Sequence, residues 1–350
     1  MNKSINPWNL PGYKAGQNVA CQVVAAEPGG YAVHIPKDNL KGFLPTEARL
    51  KLGEEVLAQF VCINNNRILL SARFSSSIQE QQTQTQTIRW QDIAESSTKP
   101  EPTANGENSP DAAFQVWASA NPRKFHLRRA VDLLMPPLAG EKPKTFQIGD
   151  YDLEWLITDL EGGMRTGCVK ASSEERLSRS AMLVYRGRAV GCIYGSKSLS
   201  DAQPTEPSLA LMLKDLALAS TAVSVYDLPE DITLAMSALF MGYPVNRSDQ
   251  LDAQSYVDYL CNWFSEKKQT ACLAITLPSK SAMCLVFVKD GNFVGTFYVE
   301  DQTYTTDRNY LNQLLQADPQ ANVEASILPP EMTSQAVRFG FSISMARKAQ

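Results

Sequence analysis

Between residues 16 and 74 apolar positions alternate with polar ones in five short runs, at 19–24, 31–35, 42–45, 56–61 and 67–71. A period of two belongs to strands, whose successive side chains point to opposite faces. Glycines punctuate the runs, and five strands in so short a stretch predict a small closed or partly open all-β barrel. In the second run the alternation sets Tyr31, Val33 and Ile35 on one face and Ala32 and His34 on the other. The first set is expected in the core and the second at the surface.

The alternation then stops. From 75 to 112 the chain turns to serine, glutamine, threonine, proline and glutamate, opening with Ser75-Ser76-Ser77 and Gln79-Glu80-Gln81-Gln82. Such a tract buries too little apolar area to offset the entropy of ordering, so a flexible linker is expected. Trp90 inside it reads as part of a transiently helical segment or as a short docking motif. Beyond the linker, Phe125, Leu127, Val131 and Leu134 recur at helical spacing among Arg123, Lys124, Arg128 and Arg129. They predict a basic surface helix leading into the next domain.

The second half repeats itself at a shift of 104, the spacing of Cys168 and Cys272. At that shift Leu156 meets Leu260, Gly187 meets Gly291, Gly191 meets Gly295 and Tyr194 meets Tyr298. The shared spelling Val-x-x-Gly-x-x-Val-Gly-x-x-Tyr reads as a hairpin. Arg186-Gly187 and Asp290-Gly291 are its tight turns, while Gly191 and Gly295 mark a bulge or a close backbone approach. Around the hairpin each copy predicts a helix (153–160, 256–264), a strand (166–171, 270–277), a second helix (209–218, 309–317) and a further strand (222–226, 322–327). A closing helix follows Leu-Pro and an acid, and both copies finish on Gly-aromatic, Gly242-Tyr243 and Gly340-Phe341. The expected chain is therefore multidomain: barrel at 1–74, linker at 75–112, a first α+β repeat with its leading basic helix at 113–247, and a second at 248–350.

At 350 residues, 44% hydrophobic and 20% charged, the chain is large enough for several buried cores. Its seven cysteines are scattered, with no Cys-x-x-Cys, and are expected as reduced core thiols. Only His34 and His126 are available as imidazole ligands, so neither a metal centre nor a cofactor is expected. No run reaches 18 apolar residues and the first eight lack a signal-peptide core, which predicts a cytoplasmic location away from membranes. Residues 1–75 hold eight lysines and arginines against five carboxylates, a net charge of +3 in a chain of −4. That asymmetry is the kind a nucleic-acid contact produces.

Gly16-x-x-Val19, Gly29-Gly30-Tyr31-x-Val33, Lys41-Gly42-Phe43-Leu44-Pro45, Gly53-x-x-Val56 and Arg67-Ile68-x-Leu70-Ser71 fall in one order. This order resembles the S1-type RNA-binding domain, an OB-fold family, and is most similar to the repeats of ribosomal protein S1. The resemblance implies an OB-type barrel with one face that stacks bases on rings and meets phosphates with cations. At the family's two stacking phenylalanines this chain has Gly29 and Ala32. At the family's histidine it has Pro45, and near its aspartate Asn64; Arg67 keeps the expected type. Phe43, pointing outward, is the candidate replacement ring. His34, Lys37, Lys41, Arg67 and Arg73 are the candidate polar contacts, although His34 also reads as a plain surface histidine.

No phosphate loop, dinucleotide fingerprint, zinc-protease helix or nucleophile elbow occurs. Asp159 and Glu161 read as solvated acids at a helix end. Two non-enzymatic expectations follow. The first is a protein that binds single-stranded RNA or the ribosome through the barrel, with the duplicated half offering a surface to a protein partner. The second is a protein-binding scaffold or signalling regulator whose barrel has lost RNA binding.

Overall fold

The structure, a computed structural model, describes residues 13–64, 67–72, 110–120, 143–199, 202–245, 251–334 and 337–349. They fall into two compact units. One runs to Ala120 and includes 334–338; the other runs from Asn121 to Thr333 and takes in the chain from Phe339 onward.

In the first unit β1 (Asn18–Glu27), β2 (Gly30–Ile35), β3 (Leu40–Pro45), β4 (Glu55–Asn64) and β5 (Arg67–Ser71) close a barrel in the order β1-β2-β3-β5-β4. Only the β3–β5 pair is parallel. The closed five-stranded barrel is consistent with an OB-type fold. Its interior takes alternate residues, including Val19, Cys21, Val23, Val33, Ile35, Leu44, Phe60, Ile68 and Leu70. Tyr31 packs against them half-buried, its hydroxyl accepting from the Leu50 N–H at 3.0 Å. A Cβ on Gly30 would lie 2.2 Å from the Leu44 carbonyl oxygen, so no side chain fits there.

Helix α1 (Pro110–Ala120) packs on β4 and β5 and buries Phe114 and Trp117 completely. The sequence reading groups residues from 113 onward with the first repeat. Packing instead joins α1 to the barrel, because its apolar face meets the outer wall of those two strands. Trp90, the stretch 123–134 and linker residues 75–109 lie outside the described residues.

In the second unit β6 (Lys144–Gln147), β7 (Gly167–Ser173), β8 (Ser178–Tyr185), β9 (Arg188–Ser196) and β10 (Ala222–Asp227) form an antiparallel sheet of order β6-β10-β7-β8-β9. Strands β11 (Tyr243–Val245), β12 (Thr270–Leu277), β13 (Ala282–Lys289), β14 (Asn292–Tyr298), β15 (Thr303–Thr305) and β16 (Asn322–Leu328) form another, of order β11-β16-β12-β13-β14-β15. The helices are α2 (Leu153–Gly162), α3 (Thr205–Asp215), α4 (Glu230–Met241), α5 (Ala253–Lys267), α6 (Arg308–Ala317) and α7 (Ile343–Lys348). Helices α2, α3 and α7 line the core of the first sheet, and α5 and α6 pack on the second. Helix α4 is buried at every residue from Ile232 to Met241 and touches β8 and β9 of one sheet and β12, β13 and β16 of the other. A helix apolar all round belongs in such a double-sided position.

Local geometry recurs at matching places in the two sheets. Gly187 and Gly291 both have φ of +80°. The Gly187 N–H donates to the Arg165 carbonyl at 2.8 Å, and the Gly291 N–H to the Gln269 carbonyl at 2.7 Å. A Cβ on Gly187 would meet Glu161, and one on Gly291 would meet Phe264 and Ser265, so each turn abuts the end of the preceding helix. Bulges interrupt the register between Leu183 and Val184 and between Phe287 and Val288.

The closing elements differ. After Leu328-Pro329-Pro330 no helix matches α4 among the described residues up to Ser334, because the stretch lacks an apolar run like Ile232–Met241. Both Gly-aromatic pairs are crossing points: Tyr243 opens β11 and pairs with β16 of the second sheet, whereas Phe341 bridges Ala189 in the first. Asp159 and Glu161 stand half-buried at the end of α2, and each has a partner that the sequence reading did not give it. Asp159 pairs with Arg165 at 3.1 Å, and the Glu161 carboxylate accepts from the Ser342 hydroxyl at 3.0 Å and the Ser344 N–H at 3.1 Å at the start of α7.

All seven cysteines are buried and none is in a disulfide, and burial pushes the Cys21, Cys168 and Cys284 thiols up to about 12. Among the described residues no helix is long and apolar enough to cross a membrane.

Candidate nucleic-acid interface

Strand register decides which of the predicted contacts share a surface. His34 on β2 lies opposite Lys41 on β3, and Lys41 lies opposite Arg67 on β5. On each strand the next residue faces the barrel interior: Val33 and Ile35 beside His34, Gly42 beside Lys41, Ile68 beside Arg67. The three basic side chains therefore form one row across the outer wall. Lys37 sits in the turn that joins β2 to β3, exposed, beyond the end of this row. Arg73 lies outside the described residues.

Two residues along, a second row runs parallel to the first. Ala32, Phe43, Leu69 and Cys62 are successive cross-strand partners on β2, β3, β5 and β4. Phe43 is 4% exposed, Leu69 0% and Cys62 5%, so this row is covered. Phe43 stands outside the cluster that fills the barrel, whereas its neighbour Leu44 is part of it. Its ring, however, is not laid open to solvent.

Arg67 connects the rows. Its guanidinium carbon lies 5.0 Å from the centre of the Phe43 ring, and its Nη2 donates to the Glu27 carboxylate at 2.6 Å. Both charged side chains are about one-third exposed, a setting in which an ion pair contributes about 0.2–1 kcal/mol and a cation–ring contact about 0.5–1 kcal/mol. Arg67 is thus fixed in direction yet reachable from water. His34 donates from Nε2 to the Asn39 side-chain oxygen at 2.9 Å, and Asn39 holds a left-handed φ of +52° in the same turn. Asp38 accepts a short hydrogen bond from the Tyr13 hydroxyl. Burial, with Asp38 adding to it, raises Tyr13 to about 12.

Sequence reading brought Phe43, Arg67, His34 and Lys41 to one wall. It missed Glu27, whose carboxylate pairs with Arg67. The only sequence signal was an acid immediately before the Pro28-Gly29-Gly30 turn, where Gly29 takes φ of +81°. A bulky L-residue at position 29 would be strained in this conformation. The wall can thus meet anions with the Lys41 and Arg67 cations and the His34 imidazole in line, but among the described residues it presents no open ring to a base. Compared with family models, curated proteins and solved structures, the chain matches none of them.

Proposed function

We propose that the chain is a non-catalytic RNA-binding protein whose S1-like OB barrel grips the phosphate backbone of single-stranded RNA rather than its bases, in a ribosome- or translation-associated role. The row His34–Lys41–Arg67 across three adjacent strands carries this reading. Binding through so few cations is sequence-tolerant, weak and strongly dependent on salt. The same reading takes the α+β region as two tandem copies of one unit that serve a separate protein partner. The matched turns at Gly187 and Gly291 and the matched bulges support the duplication.

The test is fluorescence anisotropy of a labelled single-stranded RNA with the full chain over a range of salt. Replacing Lys41 and Arg67 together by alanine removes two phosphate contacts. The slope of log affinity against log salt then falls by about 1.4, at roughly 0.7 for each contact on a single strand. Unchanged affinity and slope would overturn the barrel as the RNA contact.

A second reading, a protein-binding scaffold whose barrel no longer holds RNA, draws on the 4% exposure of Phe43 and the Glu27 partner of Arg67. Absence of RNA binding in both the native chain and the double variant selects it.

A further inference from the structure

On the second unit, away from the features discussed so far, three rings gather at the rim of the first sheet. Alternation along β6 sets Lys144 and Phe146 on one face. A single 3-10 turn at Ile148–Asp150 then brings back Tyr151, and Trp155 follows in the first turn of α2. The Phe146 and Tyr151 ring centres are 4.6 Å apart at 62°, and those of Tyr151 and Trp155 are 5.1 Å apart at 32°. Tyr151 is 38% exposed and Trp155 41%, unusual for rings of that size. Strand β6 ends its sheet, so among the described residues no further strand flanks them.

The Lys144 ammonium lies alongside the group of rings. Its Nζ lies 4.6 Å from the centre of Trp155, 5.3 Å from Tyr151 and 5.8 Å from Phe146. No carboxylate pairs with it among the described residues, so the aromatic faces alone hold it. An exposed lysine forfeits rotamer freedom to rest in one place. Its ammonium rests where three ring faces come within cation–ring distance of one point. Asp150, Asp152 and Glu154 in the same stretch add a negative field. A primary ammonium is a strongly hydrated occupant, whereas a quaternary one brings methyl groups that suit ring faces.

We propose that Phe146, Tyr151 and Trp155 form a recognition site for an organic quaternary ammonium group, with Lys144 as the resident cation that such a group displaces. The site is a competition: bound ligand requires Lys144 to swing out, and apparent affinity is reduced by the fraction of time the lysine is in place.

The experiment uses the full chain and tetramethylammonium chloride, with sodium chloride at equal ionic strength as control. The readout is the indole N–H resonance of Trp155, assigned by its loss in Trp155→Phe. A saturable shift specific to tetramethylammonium is expected, tightened about two- to fivefold in Lys144→Gln, the range an exposed cation–ring contact supports. Tyr151→Ala, checked for folding by circular dichroism, weakens it. Choline and a trimethyllysine peptide separate the sources: tighter binding of the peptide points to a protein-borne group, and equal binding to a small molecule. If Trp155 responds no more to tetramethylammonium than to sodium in both the native chain and Lys144→Gln, the site is overturned. If it responds but Lys144→Gln binds no tighter, Lys144 is not the resident cation and the displacement mechanism is overturned.

Discussion

Gly191 and Gly295 hold equivalent places in the second strands of their hairpins, yet different rings fill the space a Cβ would need. Phe240 of α4 comes to 2.5 Å of that point at Gly191, and Tyr304 of β15 to 2.4 Å at Gly295. A close approach was legible in the sequence as an isolated glycine inside a strand; its partner was not, since the ring comes from 49 residues away in one case and 9 in the other. Overpacking against a buried ring costs about 1–3 kcal/mol. Gly191→Ala is therefore expected to destabilise the second unit by that amount and so to lower its urea midpoint. Gly195→Ala, where the nearest atom is 3.8 Å away, is expected to leave it unchanged. Equal effects in urea titrations of the two variants would refute the assignment. The same limit explains Arg67: its type and direction follow from strand alternation, but Glu27, 40 residues earlier in the chain, does not.

At the scale of elements, the strands and helices of the second half stand close to where periodicity sets them, β12 with identical bounds, because each is decided by its own apolar spacing. The short rim strands β6, β11 and β15 were not legible, being three or four residues long and defined only by the neighbour they pair with. The allegiance of α1 was hidden for a similar reason. Its spelling specifies an apolar face, and nothing local says which wall receives it. Because Trp117 is fully buried, Trp117→Ala is expected to cost the barrel about 3–5 kcal/mol. Hydrogen exchange of the β4 and β5 amides should then quicken while amides of the second unit keep their protection. Exchange unchanged in β4 and β5 would show that α1 does not brace the barrel.

For the molecule as a whole, charge governs how it meets acid. Glu230 is held below its ordinary value of 4.5 chiefly by Arg186, and Asp318 below 3.8 chiefly by the Ser279 hydroxyl, which donates at 2.6 Å. Asp252 is lowered in the same direction by the Ser255 N–H. A carboxylate depressed on folding stabilises at pH above its unfolded value, and that contribution disappears as pH falls through the folded one. All three lie in the second unit, so its melting temperature should drop as pH falls below about 4.5. Asp318→Asn should flatten that decline; an identical acid limb would exclude Asp318 as a contributor. The two Gly-aromatic crossings belong to this scale as well: the spelling marks where each half ends, but only long-range pairing sends Tyr243 to one sheet and Phe341 to the other.

The double-sided burial of α4 also sets a schedule for biosynthesis. The sheet that shields one flank of this helix is not complete until β16 has been translated, about 90 residues and, at ordinary elongation rates, roughly 4 to 18 seconds later. Throughout that interval the nascent chain carries a greasy ridge with nothing to lie against. A message truncated between the two sheets would leave it so permanently, making the product a client for chaperones and proteases rather than a working half.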